Sequence, residues 1–431
     1  MMMKKIYRKL SVQNYLLLLL TFSLSISIYI TDVIILLLII IWTISGDFKG
    51  KFIKIKSEPI LYSTLLFLIY LLINSFLTNG ELWNITIQKQ LLIILLPILG
   101  TLNFKQKYLT KVPLVFIMGI FVNILLSIFT LLFPMNSFFK SGHYENDFFA
   151  HAFIDHFDYS IFLCFGIFLI ISLRRKIKNK YIYLGIILIL LITLLNSYGR
   201  VGILTFFLLI PFILFVFERS RLHNRLLIIL FTCAVIMYNY AQPFQNRINN
   251  TFKNISLIYK PLSLEEKIEL DAMFLENQND SLKKEHYINE ILKNKHWVEA
   301  IAKKNHGLET SLGKRYVYIK KSFQLIKQKP LFGHGVNYFK KTKKELPHNN
   351  FIFILVEVGI LGLGFLLLIF FTQIKDFFNC SRKNWLKLIF PVFFLFIMCF
   401  DNYILHHNTL VFFCLFSFII FTPRPFKNIS V

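Results

Sequence analysis

The chain has 431 residues, of which 56% are hydrophobic, 17% aromatic and only 16% charged. With a mean hydropathy of +0.60, this composition excludes a water-soluble or disordered protein, because soluble chains carry roughly 25% charged residues. The formal net charge of +25 would favour a nucleic-acid partner in a soluble protein, whereas in a membrane protein basic residues first report orientation. We therefore expect contacts with membrane lipids and none with nucleic acid.

The hydropathy pattern predicts an all-α polytopic membrane protein. A hydrocarbon core about 30 Å thick needs roughly 20 helical residues, and on that basis we predict about 12 transmembrane helices and one large, mostly helical periplasmic loop. The predicted spans are residues 12–30, 32–46, 60–78, 90–104, 113–134, 158–173, 181–197, 200–217, 226–240, 348–372, 386–403 and 408–423.

Basic residues predict the orientation of these spans. The segments that fall on one side of the membrane hold 25 Lys and Arg residues, and the short loops on the other side hold only three. Since Lys and Arg concentrate in cytoplasmic loops, both termini are predicted to be cytoplasmic. We thus predict transmembrane helices 1–9 in residues 1–240, a periplasmic loop domain in residues 241–347 and helices 10–12 in residues 348–431.

The long loop contains two predicted helices. One begins at a capping box formed by Ser263 and Glu266. The other runs from about Leu312 to Lys329 and ends at Pro330, which cannot continue a helix. Its apolar residues are spaced three and four apart, at Tyr316, Ile319, Phe323 and Ile326. This spacing predicts an apolar face that packs on the membrane domain or on the bilayer surface.

Three ionisable side chains at the predicted outer surface are candidates for chemistry. Arg200 lies in a tight turn between two spans, Arg315 opens the second loop helix, and His348 lies where the loop re-enters the membrane. Arginine grips phosphate oxygens with a planar fork, and a neutral imidazole suits a general base at neutral pH. Each residue also has a plainer interpretation: an arginine that reaches the interface, an exposed helix face, and an interfacial histidine.

Further residues are candidates to support these three. His334 lies in a glycine-flanked turn, and Asn349 is placed to cap the tenth span or to bind hydroxyl groups. Glu357 is an ionisable residue deeper in that span, where a functional and a structural role are both open. Asp401 is expected to pair with an arginine or a lysine.

The sequence shows no motif for a metal or a cofactor. His151, Asp155, His156 and Asp158 match no metal-ligand spacing. Nucleotide-binding loops, the nucleophile elbow of hydrolases and the metalloprotease helix motif are also missing from the sequence. We therefore expect neither a metal nor another cofactor.

Three segments together resemble the O-antigen ligase and O-antigen polymerase superfamily. They are the turn SYGR ending at Arg200, the run from Arg315 through KQKPLFGHGVNYF, and HNNFIFILVEVGILGLG beginning at His348. The resemblance covers roughly residues 181–370. There are two departures: Tyr198 and Gly199 separate the serine from the arginine, where the family often has Ser-Arg directly, and His334 adds a second histidine near the site.

The resemblance implies a metal-independent, inverting membrane glycosyltransferase of the GT-C kind in the inner membrane. Its donor would be an undecaprenyl-diphosphate-linked glycan, and its acceptor a lipid A-core sugar. On the matching motifs, His348 would be the catalytic residue, and Arg200 and Arg315 would bind the diphosphate.

Other functions remain open at this point. The nearest is an O-antigen or exopolysaccharide polymerase, which uses a second lipid-linked glycan as acceptor; one long loop late in the chain favours the ligase. A lipid-oligosaccharide flippase or other transporter would need ionisable residues deep in several spans, where Glu357 is the only clear candidate. A non-catalytic assembly protein would leave the histidine and the arginines unexplained.

Overall fold

The computed structural model describes residues 2–79, 89–132, 153–177, 179–197, 199–217, 221–240, 311–342, 344–380 and 384–422, with short pieces between 245 and 252. Within these ranges the regular secondary structure is helical, in agreement with the predicted all-α class. Most of the predicted loop domain, including the capping-box helix at Ser263, lies outside the described residues.

The helices follow the apolar stretches of the sequence. In chain order they are α1 (Met2–Ser23), α2 (Ile28–Ile44), α3 (Phe48–Ser57), α4 (Pro59–Asn79), α5 (Leu95–Thr101), α6 (Gln106–Leu109), α7 (Val112–Leu132), α8 (His156–Ser172), α9 (Lys180–Leu195), α10 (Arg200–Phe212), α11 (Arg221–Tyr240), α12 (Ser311–Gln328), α13 (Tyr338–Lys341), α14 (Asn350–Asn379), α15 (Leu386–Ile397) and α16 (His407–Phe421). A π-helical turn, Ile213–Phe217, continues α10 just after Pro211, which has no N–H to donate.

An apolar helix lies at each of the predicted spans, but the number of spans is not confirmed. By length and composition, four described helices can cross a membrane: Pro59–Thr78, Gln106–Phe129, Arg200–Phe217 and Asn350–Asn379. A fifth candidate is the pair α2 and α3, which is bent by 111°. The other apolar stretches, including Val12–Ser23 of α1 and Leu227–Tyr240 of α11, have 10–17 residues, fewer than the roughly 20 that a full crossing needs. The chain is a multi-pass membrane protein.

Helix α8 lies at the centre of the helix bundle. Its residues from Asp158 to Ile171 are all buried, and α7, α9 and α10 pack around it. The Phe165 ring contacts Phe390 of α15 at a centroid distance of 5.6 Å and Phe412 of α16 at 5.1 Å. These edge-to-face aromatic contacts hold α15 and α16 firmly against α8. The two helices that the connection 398–406 joins are therefore both packed against α8.

Helix α14 is interrupted at Gly359, where φ is 70° and ψ is −171°. This backbone conformation is open essentially to glycine only, and a side chain here would also overlap the Leu331 carbonyl. The loop after α12 inserts at the break, and we call its residues 330–335 the wedge. The backbone N–H of Ile360 donates to the Pro330 carbonyl at 2.9 Å. The break therefore joins the end of α12 to the middle of α14.

Helix α4 completes the hydrogen bonding of this break. The Tyr70 hydroxyl donates to the Val358 carbonyl at 2.7 Å, and the Asn74 side-chain amide donates to the Phe332 carbonyl at 2.8 Å. Non-helical backbone in a membrane protein needs such internal partners, because lipid offers no hydrogen bonds. The wedge is thus built into the membrane domain through α4 and α14.

Helix α12 begins and ends within one residue of the predicted bounds, and its predicted apolar residues differ in exposure. Tyr316 and Phe323 are 43% and 50% exposed, whereas Val317, Ser322 and Leu325 are buried. Tyr316 and Phe323 therefore do not pack on the membrane domain, and their contact with the bilayer surface stays a prediction.

Gly359→Ala should lower the melting temperature of the purified protein in detergent. The alanine would have to adopt a strained positive φ, which costs about 1–3 kcal/mol, and would meet the Leu331 carbonyl. Gly364→Ala in the same helix is the matched control, since no atom lies within 4 Å of its added Cβ, and alanine favours a helix over glycine. A melting temperature unchanged by Gly359→Ala would contradict the tight fit of the wedge.

Candidate functional site

The connection between α15 and α16 is fastened to the residues that begin α14. The backbone N–H of Asn350 donates to the Met398 carbonyl at 2.9 Å. The Asn349 side-chain amide donates to the Cys399 carbonyl, also at 2.9 Å. The two asparagines after His348 therefore hold the 398–406 connection beside that histidine.

Asp401 brings two of the predicted site residues together. Its carboxylate is buried. Oδ1 lies 3.1 Å from Nδ1 of His348 and accepts from the backbone N–H of Asn402 at 2.8 Å, while Oδ2 lies 3.5 Å from Nη2 of Arg315. The expectation that Asp401 pairs with an arginine or a lysine is thus confirmed, with Arg315 as the partner.

Asp401 is an ionised acceptor in this arrangement. Burial by itself would raise the pKa of the carboxyl, but the hydrogen bonds from His348 and from the Asn402 N–H outweigh burial and hold the pKa below its ordinary value. The charged form is therefore stabilised in the folded protein, and this stabilisation is lost only when acidification protonates the group. At neutral pH the carboxylate is charged.

His348 is held in an unusual backbone conformation with one ring nitrogen committed. Its φ of 48° lies in the left-handed region, which costs a non-glycine residue about 1–2 kcal/mol. The neighbouring Asn349 caps α14 by accepting from the Ile352 N–H at 3.0 Å, as the sequence predicts. Because ionised Asp401 can only accept, Nδ1 of His348 donates the hydrogen bond, and the neutral form of the ring therefore has its lone pair on Nε2. The imidazole is 36% exposed, so Nε2 is available to take a proton.

Arg315 is anchored but keeps donors for a ligand. Nη1 donates to the Phe400 carbonyl at 2.8 Å, next to the contact of Nη2 with Asp401. A guanidinium has five N–H donors, and these two contacts use two of them. The side chain is 25% exposed, so the remaining N–H groups can bind a phosphate or another anion.

Arg200 lies at the same end of the bundle, on a different helix. It is the exposed first residue of α10, and a side chain at the preceding Gly199 would overlap the Ser160 hydroxyl of α8. The first turn of α8 in turn contacts the connection after α15, where the Phe157 ring lies 5.3 Å from His406. Arg315 and His348 meet at Asp401, whereas Arg200 begins a helix that packs on α8. The glycine that separates Ser197 from Arg200 is required by this close approach.

His334 and Glu357 both lie at the wedge. Nε2 of His334 lies 2.8 Å from the Leu325 carbonyl, and burial lowers the pKa of this histidine. The Glu357 carboxylate is buried, with the backbone N–H groups at the start of α13 as its nearest donors. Among the described hydrogen bonds neither residue reaches His348 or Arg315. Both residues hold the wedge against the neighbouring helices, since the backbone N–H groups of His334 and Gly335 donate to the Val356 and Glu357 carbonyls of α14.

Two aspartates near the start of α8 have side-chain partners. Asp155 lies 3.0 Å from His156; burial raises the pKa of Asp155, but the hydrogen bond and charge of His156 outweigh this and lower it to about 2. Asp158 is buried and accepts a hydrogen bond from Thr409. Among the described residues, no group of three His, Cys, Asp or Glu side chains is arranged to hold a metal ion. His151 lies outside the described residues.

The sequence matches one protein family over part of its length. Residues 185–367 match the family described as O-antigen ligase, which supports the O-antigen ligase superfamily as the family of this segment. The matched segment contains Arg200, Arg315 and His348, whereas Asp401 lies beyond its end. No curated protein matches the chain. The family supports a ligase- or polymerase-type membrane glycosyltransferase that acts on lipid-linked glycans.

Asn349→Ala should destabilise the protein, because it removes the cap of α14 and the contact with the Cys399 carbonyl. Loss of a cap alone costs about 0.5–2 kcal/mol. Asn349→Asp keeps a capping oxygen but loses the amide donor, so it should fall between alanine and wild type in thermal unfolding. Asn379→Ala, at the exposed far end of α14, is the control. Equal stability of the Asn349→Ala and Asn379→Ala variants would show that the connection is not fastened at Asn349.

Proposed function

Because residues 185–367 match the O-antigen ligase family, we propose that this protein is an O-antigen ligase-type glycosyltransferase. It moves a glycan from undecaprenyl diphosphate to a lipid A-core sugar on the periplasmic face of the inner membrane, with inversion at the anomeric carbon. The observation that carries the proposal is the shared carboxylate of Asp401, which orients His348 and anchors Arg315 side by side.

His348 acts as the general base in this proposal. Asp401 keeps the proton on Nδ1, so Nε2 accepts the proton of the acceptor hydroxyl as that oxygen attacks the anomeric carbon. The new bond joins the acceptor oxygen to the glycan, and the bond from the anomeric carbon to the diphosphate breaks. Attack from the face opposite the diphosphate inverts the anomeric centre. Undecaprenyl diphosphate leaves with the bonding electron pair.

Arginines stabilise the leaving diphosphate. Charge-assisted hydrogen bonds of this type contribute roughly 1.5–3 kcal/mol each. The charge of Arg315 is partly offset by Asp401, so its fork positions the diphosphate more than it neutralises it. A second cation is therefore needed, and the exposed Arg200 at the same end of the bundle supplies it. These arginines take the part that a divalent cation plays in other diphosphate sites.

The acceptor separates the ligase from the polymerase. Purified protein in membrane mimetic is supplied with an undecaprenyl-diphosphate-linked glycan and either core lipid A or a second lipid-linked glycan, with a chelator present. Transfer to core lipid A supports the ligase, and elongation of the lipid-linked glycan supports the polymerase. Absence of transfer to both acceptors would reject a glycosyltransferase of either type.

His348→Ala should abolish transfer while the protein remains inserted and folded. Asp401→Asn should lower transfer roughly 10²–10⁴-fold, the range of a general-base contribution, because the neutral amide no longer holds the Nδ1 proton in place by its charge. Asp376→Asn is the control, since Asp376 pairs with Lys387 at 2.6 Å near the other end of α14. Full activity of His348→Ala would reject the mechanism. A loss in Asp376→Asn as large as that in Asp401→Asn would assign the effect to stability.

Arg315→Lys should lose most transfer activity even though the charge is kept. A lysine cannot bridge the Phe400 carbonyl, Asp401 and a phosphate with one planar group. Arg174→Lys is the matched control, because Arg174 also donates to a backbone carbonyl, that of Ile177, but lies in a segment predicted to face the cytoplasm. Initial rates of both variants test the point. Wild-type rates in Arg315→Lys would show that the fork is not used.

A further inference from the structure

One face of α12 exposes aromatic and basic side chains together. Tyr316 and Phe323 are 43% and 50% exposed, and a spacing of seven residues places them on the same face of the helix. Lys320 and Lys327 each follow one of these aromatic residues by four positions. This face lies opposite the buried residues Val317, Ser322 and Leu325.

The wedge extends this apolar surface. Leu331 and Phe332 are 56% and 57% exposed, although their backbone is hydrogen-bonded to α14 and α4. Ile73 and Phe76 of α4 and Ile360 of α14 are exposed beside it. The exposed apolar residues of spanning helices contact acyl chains. The two wedge side chains are therefore continuous with a surface that lipid covers.

Helix length places the wedge at one edge of the hydrocarbon core. The part of α14 after the break runs from Ile360 to Asn379. At 1.5 Å per residue this part is about 30 Å long, enough to cross the core by itself. Pro330 is hydrogen-bonded to Ile360, so the wedge lies at the level where this crossing begins.

The charge of this region fits an anionic surface. Residues 311–342 contain seven lysines and Arg315 but no aspartate or glutamate. Lys314, Lys327 and Lys329 are exposed. Basic residues beside exposed aromatic and aliphatic ones are typical of helices that lie in the interface of a membrane with anionic lipids.

The opposite end of the protein shows the same combination on a second helix. α3 is bent by 111° from the apolar α2 and exposes Phe48 and Phe52, and Lys56 lies over the Phe52 ring at 4.7 Å. A helix that turns sharply from a span and carries this pattern runs along a membrane surface.

We propose that α12 and the wedge form a membrane-docking surface on the outer leaflet. Leu331 and Phe332 insert among the acyl chains, and Lys327 and Lys329 contact the phosphates of anionic phospholipid headgroups. This docking holds the end of α12 at the lipid phosphates, and Arg315 lies on the same helix. The proposal does not depend on the transferase assignment, because any function of Arg315 toward a lipid-linked phosphate would use it.

Tryptophan fluorescence tests the insertion. Phe332→Trp in full-length protein is reconstituted in phosphatidylcholine and phosphatidylglycerol vesicles, and the signal of the four native tryptophans is subtracted using wild type. We expect brominated acyl chains to quench the difference signal by about half or more, with bromine near the headgroup most effective, since interfacial helices insert only about 5–10 Å. Leu331→Trp provides a second probe if Phe332→Trp does not fold. Quenching by aqueous iodide but not by brominated lipid would overturn the proposal.

Lipid charge tests the lysines. In the Phe332→Trp protein, removing phosphatidylglycerol from the vesicles should weaken the bromine quenching. A further Lys327→Gln and Lys329→Gln double substitution should abolish this dependence on phosphatidylglycerol. The control double substitution, Lys176→Gln and Lys180→Gln in a segment predicted to be cytoplasmic, should preserve it. Quenching that never depends on phosphatidylglycerol, or that loses the dependence equally in the control, would overturn the assignment of these lysines to headgroups.

Discussion

A buried carboxylate is the constraint on which the functional end of this protein depends. An ionised aspartate away from water is costly unless it is paired and hydrogen-bonded. Asp401 obtains its partners from Arg315 on α12, from His348 at the start of α14 and from its own connection. Satisfying one charge therefore requires these three parts of the chain to meet at one point.

The wedge fixes the rest of α12 in the same way, through backbone groups. The non-helical backbone at Gly359 breaks α14, and residues 330–335 insert at the break and hydrogen-bond to it. Helix α12 is thus held near its beginning by Asp401 and just beyond its end by α14. Arg315 and His348 are thus held in a fixed relation by the fold itself, which is the preorganisation that the proposed transfer requires. The proposed contacts of α12 with lipid add a fixed height in the membrane to this fixed relation.

Features that depend on neighbouring residues in the sequence are predicted correctly. Asn349 was predicted to cap α14, and it does, because an asparagine before an apolar run satisfies the free N–H groups of a helix start. The partner type of Asp401 was also predicted, since a carboxylate in an apolar stretch needs a cation. Of the two surfaces predicted for the apolar face of α12, Tyr316 and Phe323 do not pack on the membrane domain, and contact with the bilayer stays a prediction. The number of spans is still a prediction, because seven apolar stretches among the described residues are shorter than a membrane crossing.

The sequence by itself determined that the chain enters a membrane and where its apolar helices lie, and it pointed to His348, Arg200 and Arg315 as the residues proposed to act on a diphosphate-linked substrate. Only the tertiary structure decided that His348 and Arg315 share Asp401, across 53 and 86 residues of chain. The physical reason is that lipid tails are as apolar as a protein core, so hydropathy marks the helices but not which faces pack together. The packing of those faces places the carboxylate between the imidazole and the guanidinium.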